Sequence, residues 1–393
     1  MRNAIHRRQL AVVKPFASIA QLPDFVRAQL ARPRKKNMPR IVALYDGGTI
    51  GMHHDEAGNL VPTNDAKELL KPLLIKGLDK EVDVIWFPVY AAIDSTNRRW
   101  THWVSMANAI RLLYNHVDGF LACGGTDTKA HLMAALRFIF PNIGKPIIGC
   151  ASQLSSSELG DDATRNLYFA FLAASSNLSG VHLAFNEDLR EGLHVHKIKD
   201  RGFNAFDSPV RHIIGGYDGQ LHLYSNAPPR NDQIVTSDLL DFRPMFRDGI
   251  VVPKLSPGMT ARSLLHMAKD PDCYALLLIT FGAGNVRNVE GYPGEMTVID
   301  AMTELHGKSF PVVLGSPMMD GVVDSPYAAG AKAVSRKVGG ISGGDTCGAT
   351  LEVKMMRCLA LAWNAKKDEL DYDKFRREMF TDQVGELSIK LRK

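Results

Sequence analysis

Two short segments place hydroxyl side chains directly beside paired glycines: Tyr45-Asp46-Gly47-Gly48-Thr49-Ile50-Gly51 and Gly124-Gly125-Thr126-Asp127-Thr128. Each follows a short apolar run, Ile41 to Tyr45 and Gly119 to Ala122, that reads as a buried strand. Paired glycines allow a tight backbone path and expose amide N–H groups, a natural nest for an anion or an oxyanion. A phosphate loop is disfavoured, because no Gly-Lys-Ser/Thr follows either segment. A lone hydroxyl is a poor nucleophile at neutral pH and needs a base. A second threonine and an aspartate at a neighbouring strand end therefore make chemical sense if a lysine reaches them. The plainer readings are a simple turn for the first segment and, for the second, Thr126 or Asp127 capping a helix that begins near Thr128.

The elements that must position these residues alternate along the chain. Ile41–Tyr45, Val82–Phe87, Gly119–Ala122, Pro146–Gly149 and Val181–Phe185 read as buried strands. Between them, Asp65–Leu74, Thr101–Leu113, Thr128–Phe138 and Asp162–Ala174 carry apolar residues at helical spacing. Such alternation predicts an α/β fold with a mostly parallel sheet covered by helices on both faces, since parallel strands need crossover connections. Thr49 then falls at the carboxyl edge of that sheet, where open α/β sheets bind ligands. From Phe203 to about Phe246 the pattern breaks around Pro209, Gly215-Gly216, Pro228, Pro229 and Pro244. The expected organisation is a basic arm (1–38), an N-terminal catalytic domain (39–210), a linker (211–247) and a smaller C-terminal α/β domain (248–393). The last should hold strands at Ala275–Phe281 and Pro311–Leu314 and helices at Ala261–Ala268, Thr297–Leu305 and Leu351–Trp363.

A chain of 393 residues exceeds one ordinary core and suits two domains. No apolar run approaches the roughly 18 to 20 residues of a membrane span. Five scattered cysteines, with no CxxC pair, argue against a disulfide framework or a structural zinc site and fit a reducing compartment, the cytosol or an organelle matrix. The net charge of +5 resolves into +8 over residues 1–38 and −3 over the rest, so no basic face for nucleic acid is expected on the folded part. The Arg-rich arm admits an organelle transit peptide, but a disordered or surplus start before Met38-Pro39 is the preferred reading. Nucleic-acid binding by the arm ranks third.

In this order the two segments resemble the signatures of the bacterial-type L-asparaginases, most closely the cytosolic type I branch. Tyr45–Met52 is similar to a T-G-G-T-I-G-M pattern, and Asp118–Ala130 to D-G-F followed by H-G-T-D-T. Gly144-Lys145-Pro146, Ser152-Gln153, the Asp162–Leu172 helix, Lys197 with Phe203, Phe206, Ser208 and Pro209, and Thr280–Asn285 resemble later stretches of the family. The resemblance spans nearly the whole chain. It implies an asparaginase-like fold, a larger mostly parallel N-terminal domain plus a smaller C-terminal α/β domain, and an amidohydrolase with no metal and no organic cofactor. Thr49 would attack the side-chain amide carbon, with Thr126, Asp127 and Lys197 as the second, proton-relaying group. Asp94, Ser95 and Thr96 align with the segment that binds the substrate α-carboxylate, and Asp127 would also hold the α-ammonium. The resemblance further implies a homodimer or homotetramer in which Asn285 or Asp324 approaches the site of another subunit. From the residues alone, Lys197 reads as a solvated charge beside Lys199 and Arg201, Ser95 as a turn or helix cap, and Asp324 as a solvated loop acid.

Three positions depart from the family pattern. Asn59 stands where this branch carries a lid tyrosine, and a carboxamide cannot act as acid or base near neutral pH. His53 and His54 are the candidate substitutes, since imidazole titrates in the useful range, although adjacent loop histidines are commonly just exposed. Asp46 replaces the first threonine of the first signature, and Gly124 replaces the histidine of the second. The leading expectation is hydrolysis of L-asparagine to L-aspartate and ammonia. The alternatives are a related amidase for a larger carboxamide and a catalytically silent binding protein, with an amidotransferase subunit ranked lowest.

Overall fold

The computed structural model describes residues 16–63, 67–324, 330, 334, 338–346 and 348–388. They fall into two units. The first comprises the described residues up to Gly192 together with Lys197–Asp207 and Ile213–Pro244, and the second holds Leu193–His196, Ser208–His212 and the described residues from Met245 onward.

In the first unit, β1 (Arg40–Gly47) is buried along its whole length, which explains an apolar run without alternation. It leads into a hairpin, β2 (Met52–His54) with β3 (Leu60–Pro62), and then α2 (Lys67–Ile75), an earlier short helix α1 (Asp24–Leu30) lying in the arm. There follow β4 (Asp83–Ile93), α3 (Trp100–Leu113), β5 (Gly119–Cys123), α4 (Lys129–Ile139), β6 (Pro146–Cys150), α5 (Ala163–Ser175) and β7 (Gly180–Phe185). β4, β1, β5, β6 and β7 are parallel neighbours in that order. The chain thus leaves β1 to one side for β4 and returns to the other side for β5. That reversal makes the carboxyl ends of β1 and β5 the topological switch point of the sheet, the place at which α/β sheets bind ligands.

β8 (Asp188–Glu191) continues the sheet antiparallel to β7, while β9 (His196–Lys197) and β10 (Phe206–Asp207) form a separate two-stranded pair. The stretch read as a linker is different from expectation. Its β11 (Ile213–Tyr217) and β12 (Leu221–Leu223) add two antiparallel strands to the edge of the sheet. Gly215, part of the break in the sequence pattern, is demanded by that packing, because a Cβ there would lie 2.7 Å from the His222 carbonyl oxygen.

The preferred reading of the arm as disordered or surplus also fails over the described part, residues 16–38; residues 1–15 lie outside the described residues. β4 is an edge strand, and exposed edges need cover. Gln29, on α1, pairs with its backbone as a strand would: Nε2 donates to the Trp86 carbonyl at 3.1 Å and the Trp86 N–H donates to Oε1 at 3.0 Å. Leu22 and Val26 are buried, the Phe16 ring packs on Phe87, and Arg32 and Arg34 pair with Asp83 and Asp118. Gln29→Ala leaves one donor and one acceptor of the edge unpaired, at about 1–2 kcal/mol. A urea titration should show that loss of unfolding free energy, and an unchanged midpoint would refute the covering role.

The second unit repeats the logic on a smaller scale. Its sheet runs β13 (Ile250–Val251), β14 (Ala275–Ile279), β15 (Val312–Gly315), β16 (Ile341–Ser342), all parallel. Leu276, Leu278 and Leu314 pack with Leu264 of α6 (Ala261–Met267) and Met302 of α7 (Val298–Gly307). Leu277 and Val313, on the other face, pack with Leu351 and Met355 of α8 (Gly348–Ala362) and Phe375 of α9 (Tyr372–Phe380). A short hairpin, β17 (Trp363–Asn364) with β18 (Glu369–Leu370), joins these two helices. The α/β expectation with a larger and a smaller sheet holds.

Candidate active site

Four turns converge at the carboxyl edge of the first unit's sheet. After β1 the chain bends through Gly47 (φ 103°) and Gly48 (φ 76°) into a single 3-10 turn, Thr49–Gly51. Both glycines are enforced. They combine positive φ with close backbone approach, a Cβ on Gly48 falling 2.0 Å from the Gly125 nitrogen and one on Gly47 falling 2.4 Å from the Ile93 carbonyl oxygen. The turns bearing Thr49 and Thr126 therefore lie back to back at van der Waals distance. Gly48 N–H is held by the Ile93 carbonyl at 3.0 Å, and Gly124 N–H by the Cys150 carbonyl at 3.0 Å.

Lys197, at the end of β9, reaches the second turn directly. Its Nζ donates to Thr126 Oγ1 at 2.9 Å and to Asp127 Oδ1 at 2.5 Å. The Lys197 side chain is 20% exposed and that of Asp127 49%, so the pair stands at the mouth of a site and not in a sealed core. The solvated-charge reading of Lys197 does not hold. A lysine nitrogen within hydrogen-bond reach of a threonine oxygen is the contact a proton relay requires.

The third turn, Ser95–Asn97, follows β4. Asp94 is its cap: one carboxylate oxygen accepts from the Thr96 N–H and the Thr96 hydroxyl, both at 2.8 Å. Ser95 is buried and its Oγ accepts from the Asp127 N–H at 3.3 Å, tying this turn to Asp127. Beyond β6, Asp162 gathers the fourth turn by accepting the N–H groups of Gln153 and Leu154 at 2.9–3.0 Å, and burial raises its pKa against those hydrogen bonds. The Ser155 hydroxyl in this loop donates to the Met52 carbonyl and so fastens the base of the β2–β3 hairpin.

At the tip of that hairpin Asn59 is exposed. Its N–H and amide meet Asp55 at 2.8 and 3.4 Å, which makes Asn59 part of a turn; the Asn59 N–H is also the main cause of the lowered Asp55 pKa. His53 and His54 are exposed, and His54 Nδ1 lies 3.0 Å from the Gly58 carbonyl oxygen. Asn285 and Asp324 belong to the second unit. Asn285 closes a tight loop with Phe281, and Asp324 is exposed.

Sequence reasoning missed what lies beneath the turns. Asp46 is fully buried against Arg98, whose Nε and Nη2 reach its two oxygens at 2.9 Å. Tyr90 Oη adds a third hydrogen bond at 3.1 Å, and burial, then Asp46, pushes its pKa well up. Arg98 Nη1 continues to Thr128 Oγ1 at 2.7 Å, which donates to the Ser95 carbonyl at 2.8 Å. Lys129 is fully buried on the Ala122 carbonyl at 2.9 Å; burial draws its pKa down to about 8, with Asp46 acting the other way. Arg98 had no signal of its own beside Arg99. An acid at position 46, on a strand otherwise buried, was the available hint that a cation must be near.

A family model described as asparaginase, N-terminal, matches residues 40–229. L-asparaginase 1 of Escherichia coli (strain K12) is 30% identical over 351 residues, which cover 88% of this chain and 98% of that protein. The thermostable L-asparaginase from Thermococcus kodakarensis superposes with a TM-score of 0.75 at 25% identity, over 89% of this chain and 99% of that one. L-asparaginase I from Vibrio cholerae O1 biovar eltor has a similar fold, with a TM-score of 0.75 at 24% identity over 90% of this chain and 100% of its own.

Proposed function

The chain belongs to the asparaginase family, and from that premise we propose that it hydrolyses the side-chain amide of L-asparagine, with Thr49 as the nucleophile. The observation that carries the reading is Lys197 Nζ at 2.9 Å from Thr126 Oγ1 and 2.5 Å from Asp127 Oδ1, on the turn packed against that of Thr49. Thr49 Oγ1 attacks the carboxamide carbon, and its proton passes to the leaving nitrogen through Thr126 and Lys197. The tetrahedral intermediate expels ammonia and leaves an aspartyl ester, which water then cleaves to release aspartate and restore the threonine. The Gly48 and Gly124 N–H groups are already engaged by the Ile93 and Cys150 carbonyls, so other N–H groups of the two glycine turns would hold the oxyanion. Ser95 and the half-exposed Asp127 carboxylate are the groups for the substrate's α-carboxylate and α-ammonium.

A second reading, an amidase for a larger carboxamide, has one observation in its favour. Asn59 is turned to Asp55 and offers no acid or base over the nucleophile. A panel of L-Asn, D-Asn, L-Gln and larger carboxamides, assayed by ammonia release with Thr49→Ala as control, separates the two. Preference for L-Asn supports the first reading, preference for a larger amide replaces it with the second, and no Thr49-dependent release rejects both.

We further place the enzyme in the cytoplasm as a homodimer or homotetramer, acting on a small amino-acid amide. Cys123, Cys150, Cys273 and Cys358 are free thiols, as a reducing compartment permits. Asn285 or Asp324 of a neighbouring subunit would complete the site. Activity should then fall on dilution in step with dissociation, read by sedimentation. A fully active monomer at the same concentration would contradict this.

A further inference from the structure

Asp46 and Gly124 are departures from the family pattern that turn out to meet in space. A Cβ on residue 124 would lie 1.7 Å from Asp46 Oδ1 and 2.9 Å from Arg98 Nη2, so the Asp46–Arg98 pair requires glycine there. Neither Asp46 nor Arg98 exposes any side-chain surface. A fully buried guanidinium with hydrogen bonds at Nε, Nη1 and Nη2 is fixed in orientation, and its partners with it. Those two partners, Asp46 and Thr128, belong to two of the turns, and a third is reached through Thr128. Asp46 stands three residues before Thr49, Thr128 two residues after Thr126, and Thr128 in turn holds the carbonyl of Ser95.

We propose that Arg98 is a positioning residue: through Asp46 on one side and Thr128 on the other it sets the Thr49 turn against the Thr126–Asp127 turn. It touches no reacting atom. This rests on the carboxamide-hydrolase reading above. The effect belongs to kcat, because the relation between nucleophile and relay changes while the groups assigned to substrate binding keep their chemistry. Burial acts to lower the Arg98 pKa, but Asp46 and Tyr90 together raise it further than burial lowers it, and the guanidinium stays charged.

The test uses Thr128→Val, which removes the bridging hydroxyl at nearly constant volume, Thr128→Ser, which retains it, and Asp46→Asn, which keeps shape and removes charge. Thr128→Val and Asp46→Asn should each lower kcat for L-Asn by about tenfold to hundredfold, the scale of a small misplacement, with KM held within about threefold. Thr128→Ser should stay near wild type. Amide hydrogen exchange is read in parallel at Gly48 and Asp127, and Thr128→Val should accelerate both. Unchanged kcat with unchanged exchange, or a rise in KM alone, overturns the proposal. If the wild type releases ammonia from no carboxamide, the hydrolase reading falls, and the exchange at Gly48 and Asp127 still decides whether Arg98 couples the two turns.

Discussion

Thr49→Ala will abolish ammonia release, lowering kcat by on the order of 10⁴-fold or more, the loss expected when a covalent nucleophile is removed from an otherwise intact site. Stability should be nearly untouched. Thr49 is only partly buried, and its turn is fixed by Gly47 and Gly48 and by the Gly51 N–H on the Gly48 carbonyl, none of which needs the hydroxyl. A change within about 0.5 kcal/mol is typical for such a position. Ammonia release and a thermal melt on the same sample check both halves. Near-normal turnover would move the nucleophile to Thr126.

Lys197→Met is the second large effect. Lys197 Nζ donates to Thr126 Oγ1 at 2.9 Å; removing it takes that partner from the hydroxyl, and kcat should fall by about 10²–10⁴-fold, the usual contribution of general acid–base groups. The stability cost should be small. The ion pair to Asp127 is partly exposed, at 20% and 49%, so solvent screening limits it to about 1 kcal/mol or less. Steady-state kinetics with an equilibrium unfolding curve distinguishes this from a structural lysine, whose loss would lower stability and leave kcat nearly intact.

Strands and helices that bury a whole face were legible in the sequence. β1, β5 and β6 read as apolar runs and α3, α4 and α5 as helical periods, because parallel strands between two helical layers have no polar side to disguise them. β11 and β12 were not legible: they are short, antiparallel and glycine-containing, and their alternation never develops. The arm was misread as a start of no structural use because Met38-Pro39 stands before the first strand. Arg32 pairs with Asp83 and Arg34 with Asp118, and a pairing across so many residues has no local signature. In the site, the glycine turns announced themselves, since positive φ and backbone contact leave few other residues possible. Lys197 needed the family resemblance. Arg98 escaped even that, because its role exists only through Asp46, Gly124 and Thr128 brought together by the fold.

If Thr49 is the nucleophile, the amide is cleaved through an ester on its oxygen. Rapid acid quenching of the enzyme turning over L-asparagine, followed by peptide mapping by mass spectrometry, tests it most directly. An aspartyl ester is expected on the peptide holding Thr49, absent in Thr49→Ala and accumulating when deacylation is slowed. An adduct on the Thr126 peptide, or continued turnover by Thr49→Ala, would contradict it.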